Sequence, residues 1–253
     1  MPRATTATID LAALSHNLGL ARTLLPGARI MALLKADGYG HGLLRVGRAL
    51  ADADAFGVDG FSDARRLRMA GLRQRAVVLP DLFDAESDSR GYARYGGWLC
   101  IGAPLYGLGA IAGESCAGLG FKPAMILSTR LIAINRIDAG ECVGYSGTWE
   151  CPEDMTVGVA AVGFGDGYPR NAPAGTAVMV NGVLVPIVGR VSMDLMTLDL
   201  RSMPSARVGD PVTLWGSRPP VEEVAAACAT VGAQLTCAIT PRVVMLEGRA
   251  CNS

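Results

Sequence analysis

Histidine is nearly missing from this chain: only two occur in 253 residues, His16 and His41. Neither has carboxylates or thiols at ligand spacing around it, which excludes a metal centre built on imidazole. A charge of one sign is missing as well, since 23 basic side chains balance 23 acidic ones. No basic patch therefore points to nucleic acid or to an anionic membrane surface. No apolar run approaches the roughly 20 residues that cross a bilayer. The opening MPRATTATIDL has no positive stretch followed by an apolar core, so it does not read as an export signal. Cysteine is present but unordered: Cys100, Cys116, Cys142, Cys151, Cys228, Cys237 and Cys251 are odd in number and irregular in spacing. They fit neither a disulfide framework nor paired zinc spacings, and read as reduced thiols of a cytoplasmic protein. What remains is a chain whose partner is a small molecule, with no nucleic acid and no membrane involved.

Half of the residues are hydrophobic, and the length is enough for one large or two modest domains. Asp10 can cap a helix in which Leu11, Leu14, Leu18, Ala21 and Leu25 recur at three- and four-residue steps until Pro26-Gly27 ends it. The run from Ile30 to Leu34 is apolar without alternation, as in a parallel strand covered on both faces. Helix then alternates with strand: 43 to 51 helical, Phe56 to Val58 extended, Ser62 to Leu72 helical, Ala76 to Leu79 extended. That order predicts βα units around a parallel sheet. From about residue 122 the texture becomes mainly β, with strand-like stretches at 124–137, 155–164, 176–189, 191–200 and 211–215. Asn181-Gly182 is a hairpin turn pair within it. One late helix is predicted from Val221 to Val231, with Val224, Ala227, Cys228 and Val231 on one face. Leu82 to Arg94 and the stretch 107–120 read as linkers. The division falls near residue 120, giving units 1–120 and 121–253.

The residue that carries chemistry is Lys35, in LLKADGYGHG. It ends an apolar strand, and the C-terminal ends of parallel strands are where α/β folds place their sites. A lysine there can be an ion pair at the core edge, or a Schiff-base amine made nucleophilic by partly apolar surroundings. The glycines that follow allow the backbone to approach a ligand closely.

LLKADGYGHG resembles the cofactor-lysine motif of alanine racemases, in which a strand ends in K-A-x-x-Y-G-H-G. Four further segments resemble the same family in the same order: WLCIGAPLYG at 98–107, VGYSGTW at 143–149, VGFGDGYPR at 162–170 and GRVSMDLMTLDL at 189–200. The resemblance implies a TIM-type (βα) barrel followed by a mainly β domain, and pyridoxal phosphate as cofactor. It implies interconversion of L- and D-alanine for peptidoglycan synthesis by a homodimer. Carried over residue by residue, Lys35 would tether the cofactor and act as base on one face of the substrate Cα, and Tyr145 on the other. A tyrosine, with its ordinary pKa of about 10, needs a cationic neighbour for that role. Tyr39 and the backbone N–H groups of Gly102 and Ala103 would hold the phosphate. The Met193 backbone would help hold the substrate carboxylate, with Asp194 beside it and Tyr168 facing the site entrance. Tyr145 and Met193 would come from the second subunit.

The chain departs from the family in its middle. A closed (βα)-barrel takes about 250 residues and each βαβ unit roughly 30 or more, so residues 1 to about 110 hold about four units. The resemblance runs through the strand ending near Pro80 and resumes near Trp98, so an incomplete barrel is expected: an open parallel sheet or a rearranged half-barrel. The segments that bring the family's M-N-x-G-M-x-R arginine, ring-packing histidine and phosphate-binding serine have no match. Cys100 stands where the family's W-x-R-P-G arginine meets the pyridine nitrogen, and a thiol supplies no permanent cation. Pro241 stands where some members have a phosphate-binding tyrosine. The alternative to a working racemase is an impaired remnant that keeps its β half for dimerisation or binding.

Overall fold

The structure, a computed structural model, describes residues 5–79, 92–95, 97–109, 115–144 and 147–248. The chain enters through β1 (Thr6–Ile9), and Asp10 then starts α1 (Leu11–Leu24) by accepting a hydrogen bond from the Ala13 N–H at 2.9 Å. The stripe read from the sequence is the buried face: Leu14, Leu18 and Ala21 are covered. Each buried leucine contributes about 1.5–3 kcal/mol. Asn17 sits among them fully buried, because the helix meets two stretches of irregular backbone there. Its Nδ2 donates to the carbonyls of Leu105 (2.9 Å) and Lys122 (2.8 Å), and its Oδ1 accepts the Lys122 N–H at 2.8 Å. Asn17→Ala leaves those groups without partners away from water. We expect a loss of about 2 kcal/mol, read as a lower urea midpoint at unchanged m.

Five strands make the N-terminal sheet: β2 (Ile30–Leu33), β3 (Ala55–Val58), β4 (Arg75–Val78), β5 (Tyr92–Tyr95) and β6 (Trp98–Ile101). Their order is β4-β3-β2-β6-β5, with β4, β3, β2 and β6 parallel and β5 antiparallel at the edge. Helices α2 (Leu43–Ala49) and α3 (Phe61–Met69) make the two crossovers. The last parallel strand, β6, lies beside the first of the βα units, β2, and that neighbour relation is the one that closes a (βα)-barrel. Among the described residues the sheet stays open between its edge strands β4 and β5. The incomplete barrel is an open sheet, and the linker read across 82–94 ends in strand β5, while residues 80–91 lie outside the described residues.

The second half closes on itself. β7 (Met125–Ile137), β10 (Met155–Ala160), β11 (Ala177–Val180), β12 (Val183–Val188), β13 (Met196–Asp199) and β14 (Pro211–Trp215) form a ring ordered β7-β10-β13-β12-β11-β14 and back to β7. Closure is possible because β7 is 13 residues long: its first half pairs with β14 and its second half with β10. β1 and β15 (Val244–Glu247) extend the sheet from β7, so the chain's first strand belongs to the β half. β8 (Cys142–Val143) and β9 (Trp149–Glu150) form a separate hairpin. Asn181 (φ 45°) and Gly182 (φ 81°) make the β11–β12 turn as read from their sequence.

The late helix is two. α4 (Val221–Ala227) ends before Ala229 turns left-handed (φ 55°), and α5 (Gly232–Cys237) follows. Val221, Val224, Ala225 and Cys228 face the core, while Ala227 is exposed. The stretch 107–109 is packed rather than free, with Leu108 in the main core, and Cys116–Leu119 forms a short 3-10 helix. One core runs from α1 across the sheet face of Ile30, Ala32, Leu34 and Phe56 into the barrel interior. The opposite sheet face carries its own cluster of Met31, Leu33, Ala55, Leu79, Trp98 and Cys100. Among the described residues no helix is long and apolar enough to cross a membrane.

Candidate active site

Three neighbouring parallel strands end at one level: β3 in Asp59, β2 in Lys35 and β6 in Gly102. Parallel pairing of Ala32 with Phe56 and with Ile101 sets that level. The Lys35 Nζ lies 3.7 Å from Asp59 Oδ1, and both side chains are part-exposed. The other oxygen, Oδ2, accepts the Ala36 N–H at 2.6 Å. One carboxylate thus meets both the amine and the backbone beside it. Asp59 did not emerge from the sequence reading. The signal was available, because it is the first residue past a buried parallel strand, the position that singled out Lys35.

After Lys35 the chain makes a left-handed turn. Ala36, Asp37, Gly38 and Tyr39 have φ of 49°, 53°, 67° and 53°, and Gly40 caps the turn at 78°. Each non-glycine residue there costs on the order of 1–2 kcal/mol, so the conformation persists only where its surroundings impose it. They do so with hydrogen bonds. The Asp37 carbonyl accepts the Gly42 N–H at 2.8 Å, Asp37 Oδ1 accepts the Leu43 N–H at 3.1 Å, and Gly38 O accepts the His41 N–H at 2.9 Å. His41 is fully buried, with Nδ1 2.8 Å from the Tyr39 carbonyl and its ring 4.8 Å from that of Tyr106. Tyr106 in turn donates to the Leu33 carbonyl at 2.8 Å and stacks on Tyr39 at 4.6 Å. Strained backbone concentrated beside one lysine makes this turn the candidate functional element.

Tyr39 leans over Gly102. A Cβ on Gly102 would fall 2.2 Å from the Tyr39 Oη, so only glycine lets the hydroxyl reach the loop. Burial, with the nearby Cys237 and Asp59 adding to it, pushes the Tyr39 hydroxyl up to about 12. It is therefore a neutral hydrogen-bond donor. Gly102 and Ala103 open a short 3-10 helix (Ala103–Tyr106) whose first backbone N–H groups form the other donors at this end. Lys35, Tyr39 and Gly102 are thus brought together, with Ala103 adjoining.

The other residues singled out fall elsewhere. Met193 is on a loop of the β half rather than on a strand, 52% exposed, its carbonyl accepting the Gly165 N–H at 2.9 Å. Asp194 follows on the same loop and pairs with Arg242. Tyr168 does not face a site entrance: it is buried and stacks on Trp215 at 5.8 Å, where an aromatic pair fills the barrel core. Cys100 is fully buried, its Sγ 3.9 Å from Met31 Sδ, and burial pushes its thiol up. Tyr145 lies outside the described residues.

An open parallel sheet with its polar residues at the strand ends, joined to a closed β-barrel, is the (βα)-barrel-plus-β-domain class with the first part incomplete. Comparison with known proteins gives the family. Residues 9–104 match the alanine racemase N-terminal domain and residues 124–246 the alanine racemase C-terminal domain. The alanine racemase of Nitrosococcus oceani is 36% identical, the alignment covering 94% of this chain and 97% of that protein. The alanine racemase of Vibrio cholerae is 33% identical, with 96% and 98% covered. The crystal structure of the biosynthetic alanine racemase from Pseudomonas aeruginosa superposes with a TM-score of 0.88 at 29% identity, covering 97% of this chain and 99% of that one. The chain belongs to the alanine racemase family. The first alignment runs to 346 positions against a chain of 253, so that relative carries residues with no counterpart here.

Proposed function

We propose that this chain interconverts L- and D-alanine with pyridoxal phosphate, supplying D-alanine for peptidoglycan, and works in the cytoplasm as a homodimer. The observation that carries this reading is Lys35 beside Tyr39 and Gly102 at the strand ends. The residues present fit the cofactor at two of its three ends. Lys35 suits the aldehyde, and the neutral Tyr39 hydroxyl with the N–H groups of Gly102 and Ala103 suits the phosphate. At the ring nitrogen Cys100 offers no cation, and its sulfur belongs to the core. When bound, the cofactor supplies an electron sink for the charge left at Cα after a proton departs.

The chain's own residues move that proton. Lys35 takes or returns it at Nζ on one face of Cα, and Tyr145 does the same at Oη on the other, as inversion of configuration requires. The Met193 backbone holds the substrate carboxylate. Tyr145 and Met193 reach the site of the partner subunit, which suits a loop as exposed as that of Met193 and Leu195. The division into units 1–120 and 121–253 belongs to the same reading. A remnant that keeps only its β half gains no support from comparisons that pair both halves with racemases.

The test is absorbance of bound pyridoxal phosphate in the purified chain, with Lys35→Ala alongside, followed by D-alanine formation from L-alanine. A lysine-dependent band with turnover is expected. A chain with no such band loses the reading.

A further inference from the structure

The loop that carries Met193 has little of its own to hold it. Met193, Asp194 and Leu195 are all exposed, and no strand includes them. Its local bonds are one tight turn in which Ser192 N–H and Oγ both donate to the Leu195 carbonyl at 2.9 Å and the Leu195 N–H donates to Ser192 Oγ at 3.1 Å. Across the gap it is met by two N–H groups: Phe164 donates to Ser192 O and Gly165 to Met193 O, each at 2.9 Å. The approach is close, since a Cβ on Gly163 would fall 2.2 Å from Ser192 O and one on Gly165 would fall 2.1 Å from Arg242 Nη1.

Arg242 spans this assembly. Its Nη2 pairs with Asp194 on the loop, and its Nε lies 3.4 Å from Oδ1 of Asp166, whose side chain is 2% exposed. Asp166 Oδ2 accepts the Gly163 N–H at 3.1 Å, so the same carboxylate fixes the segment that donates to the loop. Thr240 completes the attachment, its Oγ1 donating to Gly165 O at 2.9 Å and its N–H to Asp166 O at 3.2 Å. A planar guanidinium can serve two carboxylates in different directions, which a lysine ammonium on its flexible stem does less well.

We infer that Arg242 is a positioning residue: it clamps the Met193 loop to the Gly163–Asp166 segment and so sets where the Met193 backbone stands. This rests on the reading above that the Met193 backbone holds the substrate carboxylate. Loosening the clamp weakens substrate binding and leaves the proton transfers at Lys35 and Tyr145 in place, so KM rises while kcat stays.

Arg242→Ala strips the buried Asp166 of its cation and risks the fold, so the deciding variant is Asp194→Ala, which frees only the loop. Arg242→Lys is the conservative companion. In the full chain, hydrogen exchange at the Gly165 amide should quicken roughly fivefold in Asp194→Ala, the scale of a part-exposed pair, with Arg242→Lys between it and the parent. KM for alanine should rise by a similar factor at constant kcat. Unchanged exchange at Gly165 in both variants would overturn the clamp. Faster exchange with unchanged KM would overturn its link to the substrate. If the parent shows no lysine-dependent cofactor absorbance, the functional reading has failed instead, and exchange at Gly165 alone still upholds or overturns the clamp.

Discussion

Gly40→Ala is expected to destabilise the chain by on the order of 4 kcal/mol and, on the proposed function, to abolish cofactor capture at Lys35. Two effects add. Gly40 has φ of 78°, where an alanine is strained by about 1 kcal/mol. The larger part is contact. The new Cβ would stand 2.1 Å from the Thr236 carbonyl oxygen and 2.7 Å from its carbon, both backbone atoms of α5. No rotamer change relieves that, so the turn after Lys35 must part from α5 or one of them must unfold. Parting breaks the surroundings that hold Ala36 to Tyr39 left-handed, and the lysine then loses its place beside Gly102. Gly71→Ala is the control, since φ is 84° there and nothing lies within 4 Å, so only the strain applies. Urea midpoints of the two variants separate the terms. Equal midpoints would show that the contact with Thr236 is easily relieved and that the turn does not depend on α5.

Much of the site could be read from the sequence because it is local. An unalternating apolar run followed by Lys35 and glycines specifies a strand end and a turn. Asp10, Asn181 and Gly182 specify a cap and a hairpin through their own side chains and backbone preferences. What was not legible is long-range. The ring of the β half depends on β7 pairing with different partners along its two halves, and a 13-residue apolar-alternating stretch looks the same whether it has one neighbour or two. The place of β1 is illegible for the same reason: Thr6 to Ile9 pairs with residues more than a hundred positions away. Asp59 follows a buried strand as Lys35 does, and what the sequence does not show is the register of β3 against β2 that brings the two together. The entrance position of Tyr168 rests on the resemblance alone, and its ring instead turns inward onto Trp215. The late helix is shorter than its apolar pattern predicts, since Ala229 leaves helical φ without a glycine or proline to announce it.

Acid should weaken this fold between pH 6.5 and about 4 through His41, with Glu222, held above its ordinary 4.5 by burial, acting in the opposite sense. Burial pushes His41 down from 6.5 to about 4, the charge of Arg45 assisting and the hydrogen bonds with the Tyr39 and Gly38 backbone opposing. Its Nε2 has no hydrogen-bond partner among the described residues, so a proton placed there gains nothing in return. The sign follows from which state takes up the proton. Above pH 6.5 His41 is neutral both folded and unfolded and contributes no pH dependence. Between 6.5 and about 4 the unfolded chain binds a proton that the folded chain refuses, so stability falls with pH and levels off once the folded form also protonates. The span corresponds to roughly 3 kcal/mol. A second group acts lower down: Asp199 is held below its ordinary 3.8, because hydrogen bonds from Arg201 outweigh the opposing effect of burial. Its contribution is present above that value and is lost only under stronger acid, so the two windows are distinct. Urea midpoints should therefore decline from pH 7 to pH 5, while the imidazole proton resonance of His41 in the folded chain stays close to its neutral position over that range. A folded-state midpoint near 6.5 for that resonance would mean that the ring is hydrated. In that case it would not be what sets the acid sensitivity of the Lys35 turn.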